Sequence, residues 1–123
     1  NTEDEAIDTW YGIARGTYLK DGTSGILRAG TAKVTVSGTT TAYSKCDEVK
    51  AAVYLDESSD GGSHFGQIGS YYFCEENTTS CHGSKANISV TSGYKYRVRG
   101  VHSATKGSTT ETTSTKAGVL TAS

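Results

Sequence analysis

Val90-Thr-Ser-Gly-Tyr94-Lys-Tyr96-Arg-Val98-Arg-Gly100, with a Thr/Ser-rich return through Lys106-Gly107-Ser108 to Val119, decides the fold class. Tyr94, Tyr96, Val98 and Gly100 share one parity; Lys95, Arg97 and Arg99 share the other. Side chains alternate across a strand, so this pattern describes one face on a core and one in water. Lys-Gly-Ser supplies the turn chemistry that joins it to an antiparallel neighbour. The same period of two recurs upstream. Ala32-Lys-Val34-Thr-Val36 alternates towards Tyr43, and Val49, Ala51, Val53 and Leu55 form an inward set. Phe65 to Cys74 is aromatic through Tyr71, Tyr72 and Phe73, and Ser84 to Thr91 puts Ile88 and Val90 on one face. Trp10 to Leu19 reads as a first strand closed by Lys20-Asp21-Gly22, and Asp56 to Ser63 as a polar loop. No helical periodicity competes.

Strands are therefore predicted over 49–55, 65–74, 84–91 and 94–104 within an all-β, antiparallel domain of roughly seven to eight strands. The expected architecture is a β-sandwich of immunoglobulin or fibronectin type III kind, with a small barrel as the other solution. The spacing of Val90 and Tyr96 predicts a tyrosine corner, in which an inward Tyr96 bonds its hydroxyl to nearby backbone. Residues 1–8 read as an acidic flexible segment and 9–123 as a single domain.

Composition narrows the class. The 123 residues include no Met and no Pro, 15 Gly and 8 Tyr, and Ser plus Thr fill about a quarter of the chain. Val, Thr and Tyr favour strands. A first residue other than Met suggests a processed end, and with it a secreted protein whose signal peptide has been removed. No stretch reaches the ~20 apolar residues of a spanning helix, so no transmembrane segment is expected. Net charge is -1, yet Glu3, Asp4, Glu5 and Asp8 stand in a leader without a basic residue. The rest holds 12 Lys and Arg against 9 Asp and Glu, a mildly basic balance compatible with anionic surfaces.

The three cysteines cannot all pair within one chain. A Cys74–Cys81 disulfide across Glu-Glu-Asn-Thr-Thr-Ser would staple two strand ends, with Cys46 as a competing partner. Cys74, Cys81 and His82 lack a second ligand pair for zinc. Asp56-x-Ser58-x-Asp60-Gly61 imitates the start of a calcium loop but has Gln67 at the twelfth position in place of Glu. Neither metal nor other cofactor is expected.

No Gly-x-Ser-x-Gly elbow accompanies His64, His82 or His102, and Asp47-Glu48 and Glu75-Glu76 are neighbours that a strand sends to opposite faces. An enzyme is thus the third choice. A nucleic-acid platform is not expected, because Tyr94 and Tyr96 lie opposite Lys95, Arg97 and Arg99. The Ser/Thr-rich return is long enough to span a membrane but offers little apolar surface beyond Ala104, Ala117 and Val119.

Four segments carry a resemblance: Arg15-Gly-Thr-Tyr-Leu-Lys-Asp-Gly-Thr-Ser, Lys33-Val-Thr-Val-Ser-Gly-Thr-Thr, Cys46-Asp-Glu-Val-Lys-Ala-Ala-Val-Tyr-Leu and Gly93-Tyr-Lys-Tyr-Arg-Val-Arg-Gly-Val-His-Ser-Ala-Thr-Lys-Gly-Ser. In this order they resemble a group of small exported proteins of Gram-positive, mainly clostridial bacteria that carries a domain-of-unknown-function label. Members often place Trp after the central Gly-Ser loop, where this chain has His64-Phe65. The resemblance implies an exported β-domain and supplies no reaction.

The expected function is a non-enzymatic secreted binding module for a protein, glycan or cell-envelope partner. A small antibacterial or membrane-active protein is the alternative. Candidate contact residues are Tyr71, Tyr72, Lys95, Arg97 and Arg99, because Tyr is a favoured contact residue and the basic ridge is solvent-facing. Oligomeric state is not readable from the chain.

Overall fold

The computed structural model describes residues 5–11 and 18–122. Among them are six strands: β1 (Glu5–Tyr11), β2 (Leu19–Gly30), β3 (Lys33–Ser58), β4 (Gly66–Ser89), β5 (Lys95–Lys106) and β6 (Thr109–Thr121). Every pairing is antiparallel, in the order β1-β2-β3-β5-β6, with β4 along the remaining edge of β3. The all-β expectation holds. The strand number differs because two long strands bend where the sequence suggested breaks.

β3 is the axis of the fold. Its residues 33–42 pair with β2, and its residues 48–58 pair with β5. β4 follows β3 through both stretches, with a register shift between Thr41 and Cys46. There the strands turn, and Asn77 in β4 takes a left-handed φ of 52° to follow. The segment Glu75 to Ser80, expected as a loop between cysteines, is therefore strand, with Glu75 and Glu76 opposite Val49 and Glu48. The bend lays one half of β3 on the other. Gly38 sits where any Cβ would stand 2.6 Å from Val53 Cγ2, so only glycine lets the halves approach this closely.

The inward residues follow the alternation read from the sequence. Ile26, Val34, Val36, Val53, Leu55, Tyr96, Val98, Ala117, Leu120 and Ala122 make one buried cluster. Leu19, Ala42, Cys46, Val49, Ala51, Cys81 and Ala104 make a second near the bend. The curled sheet nearly closes into a barrel, and side chains bridge the layers. Glu111 Oε1 accepts from the amides of Tyr18 and Leu19 at 2.8 and 2.7 Å. Asp8 Oδ2 accepts from the Lys116 amide at 2.7 Å, and Arg28 Nε donates to the Thr121 carbonyl at 2.8 Å.

A buried polar link lies at the centre. His102 Nδ1 is 3.0 Å from Thr40 Oγ1, and its Nε2 is 2.8 Å from Thr115 Oγ1, which lies 2.7 Å from Ser24 Oγ. Thr40 Oγ1 donates its proton to the Lys50 carbonyl at 2.7 Å, and Thr115 Oγ1 donates to Ser24 Oγ. Burial lowers the His102 pKa, against backbone hydrogen bonding to Thr39 and the charges of Asp21 and Asp8. The ring lies directly over Gly22, where a Cβ would overlap it. Lys20-Asp21-Gly22 was expected to end a strand; instead β2 runs through it, and Gly22 makes room for the histidine.

Other expectations are corrected in detail. Glu5 to Asp8, read as part of a flexible leader, belong to β1. The proposed strand Trp10 to Leu19 falls mostly at residues 12–17, outside the described residues. The Lys106-Gly107-Ser108 turn is present, with Gly107 at φ 62° and its amide donated to Asp47 Oδ2 at 2.7 Å. Tyr96 is fully buried; its hydroxyl accepts from the Thr91 amide and donates to Glu57 Oε2, both at 2.7 Å.

Candidate binding face

Inward positions of β3 at Val53 and Leu55 force Tyr54 and Asp56 outward. Register brings outward residues of β4 and β5 beside them. Ala52 lies between Tyr72 of β4 and Val101 of β5. Tyr54 lies between Ser70 and Arg99, and Asp56 between Gln67 and Arg97. Directly opposed residues of paired strands share a face, so these nine side chains form one surface.

Asp56 organises it. Its side chain is only 3% exposed, yet it lies on the outward face beneath two arginines. Arg99 grips it with two bonds, Nε to Oδ2 at 2.7 Å and Nη2 to Oδ1 at 3.0 Å. Arg97 Nε adds a third to Oδ2 at 2.9 Å. Burial opposes the Asp56 charge, but the hydrogen bonds from Arg99 and then Arg97 outweigh it and hold the carboxyl below its usual range. The Asp56 bond in turn raises the Arg99 pKa.

The guanidinium groups are also stacked. Arg99 Cζ sits 5.2 Å from the Tyr54 ring centroid, and Arg97 Cζ 4.3 Å from that of Phe65. Arg99 Nη2 also reaches Gln67 Oε1 at 2.9 Å. Tyr72 meets Tyr54 edge to face, centroids 6.1 Å apart, and remains 68% exposed. Burial pushes the Tyr54 hydroxyl up, with Tyr72 adding to it.

Among the sequence candidates, Tyr72, Arg97 and Arg99 come together here. Tyr71 does not; it turns inward and packs partly buried against the first cluster. Lys95 borders this face, one outward position beyond Arg97 and opposite Ser58, where its Nζ bonds Thr121 Oγ1 of β6 at 2.9 Å. Tyr54, Phe65, Asp56, Gln67 and Val101 were missed. Parity alone could have turned Tyr54 and Asp56 outward. Their union with β5 needed the β3–β5 register, which the sequence does not state. Tyr94 and, in β5, Tyr96 do lie opposite the basic ridge, but that reasoning overlooks Tyr54 of β3 and Phe65 beside it.

The Cys74–Cys81 bridge is not formed. All three cysteines are free, with Cys74 exposed and Cys46 and Cys81 buried. Cys74 Sγ instead donates to Glu48 Oε2 at 3.2 Å, and burial followed by that contact raises its pKa. The physical reason is the continuity of β4, which puts Cys74 opposite Lys50 on the outer face and Cys81 opposite Thr40 within the core.

The carboxylates of the half calcium loop are committed to protein partners. Asp56 holds two arginines. Asp60 Oδ1 accepts from Ser58 Oγ at 2.7 Å and from the amides of Ser63 and His64 at 3.1 and 3.0 Å. Its Oδ2 lies 2.7 Å from His64 Nδ1, and these bonds hold the carboxyl far below its usual range. Among the described residues no group of three or more His, Cys, Asp or Glu side chains is placed to hold a metal ion. His82 pairs with Thr39 Oγ1 at 2.7 Å on the outer surface, and His102 is sealed in the core. No helix among the described residues is long and apolar enough to cross a membrane, a statement that does not extend to strands.

No curated protein and no solved structure matches the chain. The sequence profile of one family matches residues 1–119, a span that includes β1 to β5 and most of β6, and the chain therefore belongs to that family of unknown function, DUF6147.

Proposed function

We propose that the chain is a non-enzymatic exported binding module that engages a cell-surface or envelope partner through the outward face of β3, β4 and β5. The observation that carries this reading is the array of Tyr72, Tyr54, Arg99 and Arg97 anchored on the buried carboxylate of Asp56. Exposed tyrosine and arginine dominate recognition surfaces because each offers large, stiff contact area with hydrogen-bonding ends. Here the arginines are oriented in advance, which lowers the entropy lost on binding. The β5–β6 hairpin, the segment considered for membrane insertion, commits Val98, Ala104, Ala117 and Leu120 to the core, which disfavours its release.

The test is retention of the folded chain on whole bacterial cells and on isolated envelope. Tyr72→Ser should reduce retention about tenfold or more, whereas Tyr43→Ser, at another exposed tyrosine, should leave it intact. Equal retention of both variants, or none by the parent chain, would remove the face from consideration.

A further inference from the structure

Two hollows flank the middle of this face. One, of about 410 Å³, is lined by Lys50, Ala52, Tyr72 and Cys74 among others. The other, of about 420 Å³, is lined by Asp8, Arg99, Val101, Ser114 and Lys116 among others. Ala52 and Val101 are directly paired, and Val101 is paired with Ser114 of β6. Tyr72, Ala52, Val101 and Ser114 thus form one row across four strands. The hollows lie at the two ends of that row, which spans three strand spacings, or ~14 Å, and a ligand bridging them would use the row as its trough.

The ends differ in chemistry. At the β4 end, Tyr72 offers an exposed aromatic ring braced by Tyr54. At the β6 end, Arg99 and Lys116 are directly paired and share the face. Like charges in that position repel unless a counter-ion joins them. Asp56 occupies one side of Arg99, and Asp8 Oδ2 accepts from the backbone amide of Lys116. Counting Lys50, Arg97, Arg99 and Lys116 against Asp8, Glu48 and Asp56 leaves a single positive charge. The trough therefore matches a ligand of low charge density, unlike a nucleic acid with a phosphate on every residue.

We propose that this trough takes a short acidic oligosaccharide, one sugar ring stacked on Tyr72, the chain crossing Ala52 and Val101, and a carboxylate at Arg99 and Lys116; this rests on the binding reading above. A peptide fits less well. An extended peptide joins a sheet edge, and a helical one needs a continuous apolar stripe, while this row has small and polar residues between its anchors. Ser114 and Lys50 border the row with hydrogen-bonding groups suited to hydroxyls.

The experiment applies the full chain to an array of uronic-acid and sialic-acid oligosaccharides beside their neutral counterparts, with oligothymidylate as a dense polyanion. At least one acidic sugar should be held about tenfold more tightly than its neutral counterpart. Tyr72→Ser and Lys116→Gln, both at exposed positions and checked by thermal melting, should each lose about tenfold, and Tyr43→Ser nothing. Failure to retain any acidic sugar, equal retention of neutral ones, stronger binding of oligothymidylate, or indifference to both variants overturns the proposal. An empty array with Tyr72-dependent envelope retention would overturn the sugar alone; loss of both would overturn the binding reading as well.

Discussion

The two halves of β3 solve the same packing problem with different surfaces. Inward, both are apolar: Val34 and Val36 before the bend, Val53 and Leu55 after it. Outward, the first half presents Thr35, Ser37, Thr39 and Thr41, while the second presents Lys50, Ala52, Tyr54 and Asp56. Around the first half the hydroxyls bond sideways, Thr9 to Thr23 at 3.2 Å and Thr39 to His82 at 2.7 Å. Around the second, aromatic rings and guanidinium groups gather over one buried carboxylate. Small β-branched residues therefore suffice for the outer layer of this sheet. The aromatic and cationic layer of the second half goes beyond what folding demands, which is the physical argument for function there.

The largest expected effect is at the contact between the halves. His102→Ala removes the ring that joins Thr40 of the first half to Thr115 and Ser24, leaving a cavity and unpaired hydroxyls. We expect a loss of about 3 kcal/mol in urea unfolding. A loss under about 1 kcal/mol would mean that the halves do not depend on this link. The same residue sets a pH dependence. Its folded pKa is lowered by burial from the usual histidine value of 6.5, so the unfolded chain binds the proton more readily. Stability is then complete above about pH 6.5 and declines as pH falls below it. His102→Gln should flatten that decline between pH 7 and 5.

Asp56→Asn comes next and separates structure from recognition in the second half. It removes the charge that Arg97 and Arg99 share, at an expected cost of about 2 kcal/mol in urea unfolding. Because the Asp56 pKa is lowered, its contribution is present above the unfolded value near 3.8 and is lost as pH falls through the folded one. The variant should therefore lose less stability in acid than the parent. Tyr96→Phe should cost about 1 kcal/mol by breaking the hydroxyl link between Thr91 and Glu57. Smallest of all, Thr39→Val on the first half and Tyr72→Ser on the second should each change stability by no more than about 0.5 kcal/mol. Only Tyr72→Ser should alter binding.

Period-two alternation made the strands and much of the core legible. The inward sets around Val53 and Tyr96 stand where parity placed them, and the Tyr96 hydroxyl found its backbone partner. What parity does not encode is whether a polar stretch breaks a strand or bends it. Glu75 to Ser80 looked like a loop because its residues are polar, and they are polar because β4 is an outer strand with little to bury. That reading cost the disulfide, since a bridge required the loop, and together with the break assumed between Tyr43 and Val49 of β3 it cost the strand count. Lys20-Asp21-Gly22 failed for another reason: glycine served a close approach by His102 instead of a turn. Of the candidate face, Tyr72, Arg97 and Arg99 were found by exposure arguments along single strands. Tyr54, Asp56 and Phe65 join them only through pairing between strands distant in sequence.

The claim that the two outer faces differ in purpose is most directly tested by hydroxyl-radical footprinting of the chain free and bound to bacterial envelope. Tyr72 and Ile68, both exposed near the second half of β3, report on one face, and Ile7 and Leu27 report on the other. Protection of Tyr72, Tyr54 and Phe65 with Ile7 and Leu27 oxidised as before is the expected result. Protection confined to Ile7 and Leu27, with Tyr72 unchanged, would contradict it.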